Sequence, residues 1–156
     1  MNVEVIALIF NCKVFDELTT RELYEIVRAR AEVFLIEQGI ICRDFDGVDY
    51  NSLHCFLDDG GRIAAYLRAF IADDDSIRIG RVLSIPHGVG LGKRLMTESL
   101  PKILDHFGDK DIVIHAQCHA KIFYEKLGFY ETSPEFFEEG VPHVEMKYST
   151  QAQIDR

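Results

Sequence analysis

Positive charge is scarce in this 156-residue chain: 17 Lys and Arg stand against 26 Asp and Glu, a formal net charge of −9. That balance disfavours nonspecific nucleic-acid binding and docking on an anionic membrane, both of which need clustered cations. Any bound anion requires a local site. Long apolar runs are also missing; the longest, Val5 to Phe10, is far short of the ~20 residues that span a bilayer, and no basic segment with an apolar stretch marks a signal peptide. The expectation is a soluble, cytoplasmic protein with neither a membrane nor a nucleic-acid partner. Cys12, Cys42, Cys55 and Cys118 form no CxxC pair and have no histidine at zinc-site spacing, so no metal is expected and the thiols read as reduced, mostly buried packing residues. With no repeat, low-complexity tract or Pro/Ser-rich linker, residues 1 to 156 read as one domain.

What is present is an alternation of element signals. Residues 3 to 13 look extended. Thr19-Thr20-Arg21-Glu22 has the form of a capping box, and Leu23, Ile26, Val27, Ala31, Phe34 and Leu35 then recur at helical spacing up to Gly39, which predicts a helix from about 20 to 37. Leu53 to Leu57 and Ile63 to Ile71 flank an Asp-Asp-Gly-Gly turn, and Ile77 to Leu83 follows a second acidic turn, giving an antiparallel meander. HGVGLGKRLM then leads into an amphipathic helix in which Pro101 predicts a kink or break near Leu100. Asp111 to Ala116 reads as a strand parallel to the third of the meander, His119 to Leu127 as a short helix, and 129 to 137 and 143 to 148 as extended.

Alternating glycines between a strand and a helix let backbone N–H groups converge on one point, to which the helix dipole adds partial positive charge. Here the donors are the amides of Gly88, Val89, Gly90, Leu91, Gly92 and Lys93. Lys93 and Arg94 in the first helical turn are unfavourable by up to ~1 kcal/mol unless an anion lies nearby. The alternative is an ordinary tight loop before a basic helix face. A Walker loop is excluded because Gly92-Lys93 is followed by Arg94 rather than Ser or Thr, and a Rossmann fingerprint because the GxGxxG register is wrong.

The ordered segments IGRVL, HGVGLGKRLM, HAQ and HAKIFYEKLGF resemble the acetyl-CoA-binding half of the GNAT family of N-acetyltransferases, and RARAEVFLIEQ, DFDGVD, His54, AYLRAF and FFEEGVPHVEM resemble its ElaA-type branch. The resemblance implies a single α/β domain. Its mixed, mainly antiparallel sheet would carry helices on both faces and a parallel central strand pair that splits to admit acetyl-CoA. It further implies that Arg81, Val82 and Leu83 offer strand backbone to the pantetheine arm and that Gly88 to Lys93 take the pyrophosphate. His87 stands where the family has Arg or Gln, in a loop about two residues shorter than usual. Tyr124 matches the tyrosine beside the CoA sulfur, a phenol of pKa ~10 able to protonate a thiolate whose acid has pKa ~8.5. The Leu83 amide is the inherited donor to the thioester oxygen.

For the base, His54, His143 and Glu37 are candidates, each equally readable as a packed or hydrogen-bonded structural residue. Arg28 and Arg30 could anchor the acidic DFDGVD loop or a substrate carboxylate, and His115 and Gln117 end a strand where a ligand could pass. The expected function is acetyl transfer from acetyl-CoA to a primary amine, small-molecule or peptide, by direct attack. The alternatives are a non-catalytic acyl-CoA-binding regulatory module and, third, a nicotinamide oxidoreductase. A homodimer is a family-level expectation.

Overall fold

Strand alternation and helical periodicity partition the chain in a computed structural model that describes residues 7–155. The strands are β1 (Ile9–Val14), β2 (Leu53–Asp59), β3 (Arg62–Ile71), β4 (Ile77–Ser84), β5 (Ile112–Gln117), β6 (Tyr130–Glu131), β7 (Phe136–Glu138) and β8 (Val141–Tyr148). The helices are α1 (Thr20–Arg30), α2 (Leu91–Phe107), α3 (Lys121–Lys126) and α4 (Thr150–Ile154). All described strands join one sheet in the order β1-β2-β3-β4-β5-β8-β6, with β7 also on β8. The part of the first expected strand before residue 7 lies outside the described residues.

α1 begins where the capping box was expected: Thr19 Oγ1 accepts from Glu22 N at 3.1 Å, and Thr19 N donates to Glu22 Oε2 at 2.9 Å. The predicted helix to residue 37 is two structures. After Arg30 the backbone widens into a π-helical segment, Ala31–Glu37, closed by Gln38 N donating to Val33 O. Pro101 does not break α2, which continues to Phe107.

Two apolar layers cover the sheet. Leu95, Met96, Leu100 and Ile103 of α2, with Tyr124 and Phe129, pack on one face against Leu67, Ala69, Ile79, Ile114 and Met146. On the other face Ile26, Ala29 and Val33 cover Phe56, Tyr66 and Leu83. This second layer stops short of β5 and β8, so Arg78, His115 and Glu145 are left without a helix above them. Among the thiols only Cys55 is fully buried; Cys12 sits across the β1–β2 pair with its sulfur 3.8 Å away, Cys118 is half-buried, and Cys42 is exposed, contrary to the expectation of mostly buried cysteines. No helix among the described residues is long and apolar enough to cross a membrane.

Candidate active site

β4 and β5 run parallel for only three residue pairs, Ile77↔Ile112, Arg78↔Val113 and Ile79↔Ile114, and then separate. The cause lies in β4. Its register with β3 slips by one residue between Arg68↔Gly80 and Tyr66↔Leu83, and Arg81 takes a left-handed φ of 53°. That bulge bends β4 away from β5. A cavity of about 800 Å³ opens along the separation, within the ~300–1,000 Å³ usual for small-molecule sites.

The bulge also decides which backbone groups face the gap. Ile85 N donates to Ala64 O at 2.8 Å, so in this register Leu83, paired with Tyr66, turns its amide toward β3. The Leu83 amide is therefore engaged within the sheet rather than free for a thioester oxygen. The Val82 carbonyl and Ser84 amide point the opposite way, into the separation.

At the mouth of the cavity, Gly88 and Gly90 have φ of 78° and 83°, a region closed to most side chains. No protein acceptor takes the amides of Gly88 or Gly90 among the described residues, and α2 starts without a side-chain cap. The first-turn amides of Leu91, Gly92 and Lys93 have no intrahelical acceptor either. A Cβ at Gly92 would meet Phe123 Cζ at 3.3 Å, so a larger residue there would press on the Phe123 ring beside the cavity. Lys93 lines the cavity, whereas Arg94 turns away to Glu98 Oε2 at 3.0 Å and Leu8 O at 2.9 Å. Val89 points to solvent, and His87, which lines the cavity, bonds Glu37 Oε2 at 2.9 Å. This shape, an open strand pair leading to an uncapped, glycine-lined helix start, fits a pantetheine arm and its pyrophosphate.

Tyr124, 6% exposed, lines the same cavity, packed edge-on between Phe123 and Phe129. Burial pushes its phenol pKa upward and keeps it protonated. His143, 7% exposed, lies opposite Gln117 where β5 ends. Its Nδ1–H donates to Val141 O at 2.7 Å, which leaves the lone pair of a neutral ring on Nε2, 3.7 Å from Glu138 Oε2. Gln117 Nε2 reaches Gln38 Oε1 at 2.9 Å, joining the end of β5 to the end of the π-helical segment.

Four sequence-based candidates fall elsewhere. His54 is 0% exposed under α1 and bridges the Tyr66 hydroxyl at 2.7 Å and the Asp49 carbonyl at 2.9 Å; burial depresses its pKa and holds it neutral. It is a core residue that does not line the cavity, although its cross-strand partner Arg68 does. Arg28 is on the outer surface beside Glu25, and Glu37 is occupied by His87. Arg30, 1% exposed, binds Asp44 and Asp49 and so serves the acidic loop rather than a ligand. That loop closes over a network: Arg68 reaches Asp46 at 2.6 Å and Asp49 at 3.1 Å, and Arg81 reaches Asp44 at 2.9 Å. Burial opposes the charge on Asp46, but hydrogen bonds from Arg68 and the Val48 amide prevail and hold its pKa at about 2.

Residue-by-residue reading overlooked Arg78 and Glu138. Arg78 Nη1 donates to His115 Nε2 at 3.1 Å, and His115 Nδ1 donates to Glu138 Oε1 at 2.9 Å; this hydrogen bond is the leading cause of the lowered Glu138 pKa. The available signal was a charged residue between Ile77 and Ile79, on the face opposite the buried pair.

Comparison with known proteins agrees with this geometry. The acetyltransferase (GNAT) domain family matches residues 41–150. A UPF0039 protein of Schizosaccharomyces pombe is 34% identical over 142 residues, covering 88% of this chain and 95% of its own. Protein ElaA of Escherichia coli is 32% identical over 137 residues, covering 84% and 90%. The crystal structure of ElaA superposes with a TM-score of 0.86 over 92% of this chain and all of its own. An acyl-CoA N-acyltransferase from Pseudomonas aeruginosa gives a TM-score of 0.85 at 31% identity, over 91% of this chain and all of its own. With a divided parallel strand pair, a glycine cradle and these relatives, the chain belongs to the GNAT acyltransferase family, in its ElaA-like branch.

Proposed function

We propose that this protein transfers an acetyl group from acetyl-CoA to a primary amine by direct attack. The observation that carries the reading is the β4–β5 separation, which leads from an uncapped glycine cradle to the buried Tyr124 phenol and the His143 imidazole within one cavity. Bound acyl-CoA supplies the activated thioester. Gly88 to Lys93 hold its pyrophosphate through backbone amides. The Val82 carbonyl and Ser84 amide orient the arm, and Ser84 N–H replaces Leu83 N–H as the nearest strand donor free to face the thioester oxygen.

His143 Nε2 takes a proton from the incoming ammonium so that the nitrogen lone pair is exposed. As the C–N bond forms and the C–S bond breaks, a second proton leaves the nitrogen for solvent. Tyr124 gives its phenolic proton to the departing sulfur and regains one from solvent, and His143 discharges its proton to solvent. The sum is an amide, a free thiol and one released proton.

Thermal unfolding with acetyl-CoA, CoA, NAD and ATP tests the binding step. A ligand at ~100 times its dissociation constant stabilises by about 2.7 kcal/mol, which raises the midpoint of a domain this size by roughly 5–10 °C. A rise with acetyl-CoA and CoA alone, followed by thiol release on adding amines, supports the reading. Binding without turnover across a broad amine panel would favour a regulatory module, and no rise with either CoA compound sinks both.

A further inference from the structure

The arginines around the cavity differ in their partners. Arg30, Arg68 and Arg81 are each tied to carboxylates of the acidic loop. Arg78 lies on the same sheet face as Arg68, and the Nε of each is buried with no acceptor, but where the Arg68 guanidinium nitrogens bind Asp46 and Asp49, the described side-chain hydrogen bond of Arg78 runs to an imidazole. An arginine can only donate, so His115 Nε2 accepts and the His115 proton resides on Nδ1, directed at Glu138. This chain of bonds tethers Nη1 of the guanidinium at the cavity, and among the described residues no carboxylate pairs directly with it; Glu145 Oε2 lies 3.7 Å from His115 Nε2.

The floor beside it is bare. Gly80 is the next residue on that face of β4, and nothing lies within 4 Å of the place a Cβ would occupy. Two strand residues span ~7 Å, so a small molecule over Gly80 reaches from the Arg78 fork toward the Arg81 bulge. On the wall above, Glu138 and Glu139 add negative charge to the lining. Those carboxylates attract an ammonium and repel a dianion such as a phosphate monoester, while the guanidinium fork matches a planar carboxylate.

Building on the N-acyl transfer reading, we infer that the acceptor is an amine that also carries a carboxylate, an amino-acid-like zwitterion whose carboxylate is held by Arg78. The guanidinium sets which amines are used by fixing the distance from carboxylate to attacking nitrogen. His115 is a positioning residue that acts through Arg78.

The test measures thiol release from acetyl-CoA with matched acceptors: lysine against cadaverine, ornithine against putrescine, and β-alanine against its amide. In parallel, the same amino acids are titrated calorimetrically into protein saturated with CoA. Because charge-assisted hydrogen bonds would be lost, kcat/KM for the carboxylate-bearing member of a pair is expected to exceed its partner about ten- to hundredfold. Arg78→Gln is expected to collapse that ratio toward one by raising KM for the amino acid and to abolish its binding heat; Arg78→Lys, which keeps charge but loses the fork, falls between. Melting midpoints verify that both variants fold. Equal use of both members of each pair overturns the assignment but leaves N-acyl transfer standing. Binding heat that persists in Arg78→Gln removes Arg78 as the anchor, and absence of both turnover and heat with every acceptor, although acetyl-CoA binds, overturns both readings.

Discussion

Arg81 Nε donates to Asp44 Oδ1 at 2.9 Å, and Arg81 is the residue whose left-handed backbone forms the β4 bulge. A non-glycine residue in that region costs roughly 1–2 kcal/mol, and the side-chain tether holds the conformation in place. Asp44 also binds the buried Arg30 guanidinium, so one carboxylate couples the acidic loop, the end of α1 and the strand that opens the cavity.

Asp44→Ala is therefore expected to affect two properties. Loss of the charge-assisted bonds to Arg30 and Arg81 should lower unfolding free energy by roughly 1–3 kcal/mol, measured in urea. Relaxation of the bulge should weaken acetyl-CoA binding measured by calorimetry. An unchanged dissociation constant in a folded variant would separate the loop from the donor site.

Tyr124→Phe removes one hydroxyl from a packed aromatic cluster, so the fold and acetyl-CoA affinity should persist. Turnover should fall by about 10²-fold or more, the range for loss of a positioned proton donor. Single-turnover thiol release separates this step from product release; an unchanged rate removes Tyr124 from the chemistry.

Two glycines of the cradle should respond differently. Gly90→Ala places a Cβ at φ 83° and should reduce stability by about 1–2 kcal/mol. Gly92→Ala has no such backbone cost and gains helix propensity, but its Cβ presses on Phe123 at 3.3 Å beside the cavity. It should melt no lower than the parent while binding acetyl-CoA several-fold less tightly. Equal melting of the two variants contradicts this division.

Acid should destabilise the protein in two stages. Burial depresses the folded-state pKa of His54, so the contribution of the neutral ring is intact above the unfolded value of ~6.5 and declines as pH falls below it. The depressed pKa of Asp46 contributes stability that is present above the unfolded value of ~3.9 and is lost as pH falls toward about 2. Urea midpoints from pH 8 to pH 2 should show both. His54→Gln should remove the first stage, and because Tyr66 and the Asp49 carbonyl depend on that ring, it should also lower stability near neutrality. A full first stage in His54→Gln assigns it to another group.

Features governed by local chemistry were readable in the chain. The Thr19–Glu22 capping box, the Asp58-to-Gly61 turn and the glycine cradle each depend on residues close in sequence, and the structure contains all three. The π-helical widening after Arg30 was not readable, because Phe34 and Leu35 satisfy helical spacing and the wider bonding shows only in the backbone. His54 could not be distinguished from a catalytic base, since its role depends on Tyr66 and on the carbonyl of Asp49. Arg78, His115 and Glu138 come from β4, β5 and β7, and only the sheet order brings them together.

The three-pair contact between β4 and β5 has a consequence for the order of assembly. Every other strand pairing among the described residues joins partners from the same portion of the chain, β1 through β4 or β5 through β8. The first portion carries α1 and α2 on its two faces, so on a ribosome it holds a four-stranded sheet with a helix on each face before β5 emerges. Tyr124 and His143 both belong to the later portion. Vectorial synthesis thus delivers the glycine loop first and the side chains proposed for the reaction last, and a nascent chain stalled after α2 would present the loop proposed to hold the pyrophosphate without the phenol and imidazole.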